Sequence, residues 1–449
     1  MDVSKSTEWR QYLEQNSNSR RHAEKVGKIV PSGSSRSLLR HPPFPFFVNH
    51  AAGISSVDLD GNERLDFHNN YTTLIHGHGH PEIMAAVKEQ LPKGTSYSAP
   101  VVQEARLVDL LTNRIGGVDQ VVFNNSGSEA VMVALRIARA VTGKQLIGKF
   151  EGGYHGSSDF VMVGGHEIPD VDDPVKVSKP KPDMAGLPDA ATDQVVLIKY
   201  NDVEAVKEAV AQYGDDMAAM IVEPIMFAGG VVPATPEFLQ AIRDETARKG
   251  IIFICDEVVT LRQAVGGAQG YYGIDPDLTT MAKTIGGGFP VGAVGGKREF
   301  MKCLNDASDG GTVANLGTFS ANPMSVTAGA VAMELLDEAA IAHINQLGDK
   351  ARAGLQSIIQ THDVAAQVSG TGSLFQIHWT DTPITDARAS MSGNPDQVLL
   401  NFIGMCNRGV QLSMRGNAAL STPMTEATID TMLNAFDETV ASMCAEGYC

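Results

Sequence analysis

Ile251-Ile252-Phe253-Ile254-Cys255-Asp256-Glu257-Val258-Val259 is an apolar run that ends in an acid, and further on Met281-Ala282-Lys283-Thr284-Ile285-Gly286-Gly287-Gly288-Phe289-Pro290 sets a lysine beside a glycine-rich turn. A short apolar run bounded by turn residues reads as a strand buried on both faces. Gln120 to Phe123, Gln145 to Lys149 and Ala218 to Glu223 are runs of the same kind, and helical stretches such as Glu104 to Ile115 and Glu129 to Val141 alternate with them. This alternation, from about Pro81 to Ala330, predicts an α/β domain with a mostly parallel central sheet.

On the N-terminal side, Thr7 to Val30 is charged and helix-compatible, and Pro31-Ser32-Gly33-Ser34-Ser35 breaks it, which predicts an arm or helix. Residues Gly53 to Phe67 read as a hairpin closed by Asp60-Gly61. On the C-terminal side a helix is expected over Val331 to Ala342, then short apolar runs and a last helix over Glu426 to Glu446, together a smaller α+β lobe. Pro169 to Pro188, rich in Pro, Asp and Lys, reads as a long surface loop.

The chain has 449 residues, more than one hydrophobic core of about 250 to 300 residues can serve, so two or three lobes are expected. With 35 basic against 52 acidic residues the formal charge is -17, which excludes the broad basic face that nucleic-acid binding requires. An anionic ligand must be met by individually placed groups. The opening Met1-Asp2-Val3-Ser4-Lys5 is too polar for a signal peptide, and no apolar run reaches the ~18 residues of a membrane span, so a cytoplasmic location and no membrane partner are expected. Five cysteines (Cys255, Cys303, Cys406, Cys444, Cys449) are scattered and odd in number, which predicts reduced thiols rather than a disulfide framework.

In open α/β sheets ligands bind beyond the carboxyl ends of strands, so the residues after each apolar run are where chemistry is sought. A carboxylate at Asp256 can pair with a protonated pyridine nitrogen, although a turn aspartate is the plainer reading of a lone acid. A lysine held among apolar residues, as Lys283 is, has a lowered pKa and is a competent nucleophile for an aldehyde, where a surface lysine would be neither buried nor activated. Together the two are what an enzyme needs to hold pyridoxal 5′-phosphate (PLP) by ring nitrogen and aldehyde.

Ser126-Gly127-Ser128-Glu129-Ala130 follows an apolar run and opens a helix, so it offers unpaired N–H groups, two hydroxyls and the positive dipole end to a phosphate. An ordinary N-cap at Ser126 or Ser128 accounts for the same residues, and Lys283 tips the balance toward phosphate. Glu129 is read as supporting the first helical turn. Gly152-Gly153-Tyr154-His155-Gly156 sets an aromatic pair among glycines after another strand, and a flat ring there can stack on a cofactor. A structural tyrosine in a tight turn is the rival reading. Val258 is either strand-end packing or a surface for the other ring face. His76, His78 and His80 lack acidic or cysteine companions at ligand spacing, so no metal site is expected.

In combination these residues resemble the class III (ω) aminotransferases of PLP fold type I, with glutamate-1-semialdehyde aminomutase as a cousin. The resemblance runs from Pro31-Ser32-Gly33 to Leu420-Ser421-Thr422-Pro423. It rests on Asn125-Ser126-Gly127-Ser128-Glu129-Ala130, Gly153-Tyr154-His155-Gly156, Tyr200-Asn201-Asp202, Val222-Glu223-Pro224, Asp256-Glu257-Val258, Ala282-Lys283-Thr284-Ile285-Gly286-Gly287-Gly288 and Gly317-Thr318-Phe319-Ser320-Ala321-Asn322-Pro323. It implies Lys283 as the Schiff-base lysine and Asp256 as the pyridinium partner. Ser126, Gly127 and Ser128 would lie at the phosphate, with Tyr154, His155, Glu223 and Val258 among the other cofactor contacts. It implies that Thr318 reaches the phosphate of a neighbouring subunit's cofactor, hence a homodimer. The implied architecture is a large PLP domain, 71–330, plus a smaller α+β domain formed by the chain ends, 1–70 and 331–449.

Departures from relatives narrow the substrate. Ala228, in Glu223-Pro224-Ile225-Met226-Phe227-Ala228-Gly229-Gly230, stands about where ornithine- and 4-aminobutyrate-type enzymes carry a glutamate gate. Leu412-Ser413-Met414-Arg415-Gly416-Asn417 lacks the glutamate of the aminomutase pattern. What is left resembles the β-amino-acid aminotransferases, with Arg36 and Arg415 as carboxylate grips by bidentate hydrogen bonding and surface arginines as the plain alternative. Arg262 is read as structural. The activity implied is transfer of an amino group from an amino acid or amine to a keto acid, with an aminomutase, racemase or decarboxylase as rivals on the same cofactor residues.

Overall fold

The computed structural model of the chain describes residues 2–305, 308 and 311–449. Among them, eight strands form the central sheet: β1 (Gln120–Asn124), β2 (Leu146–Phe150), β3 (Val177–Ser178), β4 (Val195–Ile198), β5 (Met217–Val222), β6 (Ile252–Asp256), β7 (Leu278–Ala282) and β8 (Gly292–Gly296). Their order is β1-β8-β7-β6-β5-β2-β4-β3. The sheet is mixed: β8 runs antiparallel to both neighbours and β3 antiparallel to β4, whereas the other pairings are parallel.

Strands buried on both faces need apolar residues at consecutive positions, and alternate residues serve opposite layers. Ala219, Ile221, Ile252 and Ile254 pack with Ala130, Val131 and Ala134 of the helix Gly127–Thr142. Met220, Val222 and Phe253 turn the other way, onto Val206 and Val210 of the helix Val203–Tyr213 and onto Phe238 and Ile242 of the helix Pro236–Lys249. The result is a three-layer α/β sandwich. Lys149 is fully buried within β2, its Nζ donating to the Val163 carbonyl at 2.7 Å.

The expected hairpin is present as Ser55–Asp58 and Glu63–Asp66, antiparallel and joined through Asp60-Gly61. Glu63–Asp66 also pairs in parallel with Val410–Gln411, so both flanks of the chain share one sheet. The Thr7 to Val30 stretch forms the helices Thr7–Gln15 and Ser17–Val26. The helix expected over Val331 to Ala342 is split. Pro323–Leu335 ends there, and Asp337 caps a new helix, Glu338–Thr361, by accepting from the Ala340 N–H. The expectation that all thiols are reduced is corrected: Cys444 and Cys449 form a disulfide. The helix Glu426–Ala445 ends before Gly447, whose φ of +77° turns the chain back and brings the two sulfurs together. Cys255, Cys303 and Cys406 are free and buried.

Candidate active site

β1, β2, β4, β5, β6 and β7 run in one direction, so their carboxyl ends line a single edge. At that edge Asp256 ends β6, Lys283 follows β7, Glu223 follows β5, the turn carrying Tyr154 and His155 follows β2, and Ser126 to Ser128 follow β1.

The helix Gly127–Thr142 begins with a reciprocal cap. Ser126 Oγ accepts from the Glu129 N–H at 3.2 Å, and the Glu129 carboxylate accepts from the Asn125 N–H at 2.6 Å. Glu129 is thereby committed to the cap, and among the described residues the N–H groups of Gly127 and Ser128 have no partner. The start is closely framed. A Cβ on Gly127 would lie 3.2 Å from both Val258 methyls, and one on Gly156, where φ is +93°, would lie 2.5 Å from Ser128 Oγ.

His155 is buried and donates its Nδ1–H to Asp256 Oδ2 at 2.6 Å, while its Nε2 is buried with no partner. Asp256 Oδ1 takes the Val258 N–H at 3.1 Å. Tyr154 is 43% exposed, so its ring face is open at the sheet edge. Its N–H donates to Glu223 Oε1 at 2.9 Å, and Glu223 Oε2 takes the Phe227 N–H at 3.2 Å. Glu223, expected as a cofactor contact, thus uses both oxygens to fix the turn beneath Tyr154. Burial pushes its carboxyl above the ordinary range. Burial likewise lowers the Lys283 amine, against the pull of Asp256 and Glu223 toward the charged form. Among the described residues Lys283 Nζ has no ion pair, and its backbone sits at φ +53°, a region that costs an L-residue roughly 1–2 kcal/mol.

Arg36 lies against Tyr71, and the charge of Arg415 also acts on that ring. Arg36 Nη1 donates to Asn70 Oδ1 at 2.6 Å, and its guanidinium lies 5.2 Å from the Tyr71 ring centre. Arg415 reaches the Ala228 carbonyl at 3.5 Å and His166 Nδ1 at 3.4 Å. Burial raises the Tyr71 phenol, and the charges of Arg36 and Arg415 oppose that. Asn69 to Thr72 all have positive φ, from 49° to 73°. Asp66, which accepts from the His68 and Asn69 N–H groups, holds this left-handed turn in place. A cavity of about 320 Å³ borders Arg36, His68, Asn70, Tyr71 and Met414. Thr318 is exposed on a segment anchored by Asn315, which bonds Asn124 and the Phe123 carbonyl, and it does not meet Ser126 to Ser128 through any bond within its own chain.

Sequence reasoning passed over two groups. Glu257 is fully buried and takes the Ala268 and Gln269 N–H groups and the Thr260 hydroxyl; burial raises it to about 7. The Glu151–Arg388 pair is also buried. Neither declares itself along the chain, because their partners are distant in sequence or are backbone amides. Arg262, read as structural, is fully buried against Ser373 and the Leu420 carbonyl. His76 and His78 are bonded to Thr422 and Ala332 and to Asp66, respectively.

The arrangement fits PLP: free amides at a helix start for a phosphate, an unpaired lowered amine for an aldehyde, and a buried carboxylate with acceptor capacity to spare for a ring nitrogen. Residues 38–431 match the family Aminotransferase class-III. A glutamate-1-semialdehyde 2,1-aminomutase of Methanothermobacter thermautotrophicus is 37% identical over 86% of this chain and 89% of its own. An omega-transaminase from Sphaerobacter thermophilus has 38% identity and a TM-score of 0.91, covering 96% of this chain and 99% of that one. A beta-phenylalanine aminotransferase from Variovorax paradoxus has 31% identity and a TM-score of 0.89, covering 98% and 97%. The chain therefore belongs to the class III aminotransferases, PLP-dependent enzymes of fold type I.

Proposed function

We infer that the protein is an aminotransferase that takes the amino group of a β-amino acid and gives it to a keto acid acceptor. The observation that carries this reading is the Arg36 guanidinium against Tyr71 at the border of a cavity of about 320 Å³, with the charge of Arg415 also acting on that ring. Each arginine can orient a substrate carboxylate by a two-bond fork, and Ala228 supplies no carboxylate to neutralise Arg415. When bound, PLP supplies an aldehyde that captures amines and a ring that draws electrons from the captured carbon. Lys283 Nζ would hold the aldehyde and, once released, take up and return the proton, a task suited to a lowered amine with no ion pair among the described residues. Asp256 holds its charge at the ring nitrogen, and His155 holds Asp256. Ser126, Gly127 and Ser128 grip the phosphate, while Tyr154 and Val258 flank the ring. Glu223 fixes the turn beneath Tyr154.

The same reading takes the enzyme as a cytoplasmic homodimer in which Thr318 serves the neighbouring subunit's phosphate, with 1–70 and 331–449 as one small lobe beside 71–330. In support, Leu316 is 86% and Phe319 59% exposed beside Thr318, and Val410–Gln411 pairs with Glu63–Asp66. The 37% identity to an aminomutase favours a second reading, in which the amino group returns to the same molecule. Incubating the holoenzyme with a β-amino acid, with and without 2-oxoglutarate or pyruvate, separates the two. Transfer yields keto product beyond one equivalent per site only with the acceptor; isomerised amino acid formed without acceptor establishes the aminomutase instead.

A further inference from the structure

Glu151 is the first residue after β2 and stands immediately before the Gly152-Gly153 turn that carries Tyr154 and His155. Arg388 comes from the opposite flank of the chain, on the short helix Ala387–Ser390. Its Nε and Nη2 donate to the two Glu151 oxygens, each at 2.8 Å, with both side chains no more than 2% exposed. The same guanidinium donates to the Val175 carbonyl at 2.5 Å and to the Asp173 carbonyl, within the 169–188 loop. Next to it, Ala387 presses on Gly152 so closely that a Cβ there would lie 2.2 Å from the Ala387 methyl. Gly152, at φ +77°, occupies a position that leaves no room for a side chain and favours glycine. The turn then proceeds through the Gly153 N–H to the Phe150 carbonyl, Tyr154 N–H to Glu223, and His155 to Asp256.

We propose that Arg388 is a positioning residue for the cofactor site: by clamping Glu151 with both prongs of its fork it sets the turn that aims Tyr154 and presents His155 to Asp256. A lysine in its place keeps the charge but loses the planar fork and the simultaneous bonds to two carbonyls. The clamp joins three pieces of chain, the end of β2, the 169–188 loop and the Ala387–Ser390 helix, so its loss loosens a point where all three meet. The proposal rests on Tyr154 and His155 being cofactor contacts.

The test compares wild type with R388M, R388K and Y154A as holoenzymes. Readouts are the dissociation constant for PLP, the pH at which the absorption band of the bound cofactor titrates, and limited proteolysis within 169–188. R388M is expected to weaken cofactor binding on the order of tenfold, as loss of an outer partner does at metal sites, to move the titration midpoint and to speed cleavage of the loop. R388K is expected to fall between. A folded R388M with wild-type cofactor affinity and midpoint, differing only in melting temperature, overturns the proposal and leaves a structural ion pair. Should R388M yield no folded protein, E151Q, which keeps volume and one acceptor, is read against the same criteria. If Y154A binds PLP as tightly as wild type, the underlying reading of the turn fails; if Y154A weakens binding and R388M does not, the clamp alone fails.

Discussion

At the scale of single residues, Asp256 and Lys283 stand out along the sequence because one ends a buried strand and the other directly follows one, and a charged group in that place is rarely there for solubility. K283A is expected to lower turnover by about a thousandfold or more, the worth of a positioned acid–base group, while the fold persists; a stopped assay on purified variant checks this. Glu257 was not legible, since its partners are backbone amides that only the folded chain brings near. Its carboxyl, about 7 in the fold against an ordinary 4.5, is raised chiefly by burial. A raised acid favours the fold when protonated, so its stabilising share is full below about pH 4.5 and is lost as pH rises through 7. Wild type is expected to lose about 2 kcal/mol of unfolding free energy from this group between pH 5 and 8, a loss absent in E257Q. Urea titrations at the two pH values measure it.

At the scale of elements, β1, β2, β5 and β6 were readable to within a residue or two, because unbroken apolar runs mark strands buried on both faces, whereas β7, with two threonines at its centre, was not. β8, Gly292–Gly296, was not readable: its glycines suggest a turn, yet a Cβ on Gly292 would lie 2.0 Å from the Ser126 carbonyl oxygen, so glycine is what lets β8 approach the Ser126 turn. The left-handed Asn69–Thr72 turn carries no sequence signal beyond its asparagines. The meeting of Ser128 with Gly156 leads to a further expectation. G156A places a methyl against Ser128 on a backbone at φ +93°, and should cost about 1–3 kcal/mol in denaturant unfolding and loosen PLP retention, since the displaced Ser128 belongs to the helix start.

At the scale of the whole molecule, the exposed apolar pair Leu316 and Phe319 beside Thr318 leads to an association test. The double variant L316E/F319E is expected to shift sedimentation from dimer to monomer and to lower PLP retention with it, whereas wild type holds both. Overall class was readable from alternation along the middle of the chain, whereas the joining of its flanks was expected only from the family resemblance, because strand pairing across such a span leaves no local trace. That joining has a consequence for synthesis in the cell. Glu63–Asp66 leaves the ribosome about 340 residues before Val410–Gln411, the strand that completes its sheet. At common elongation rates the wait is roughly 20 to 70 seconds, during which an unpaired hairpin edge stands open to other nascent chains. That small sheet cannot be completed until most of the chain is made, so the protein's yield should depend on chaperone supply during the wait.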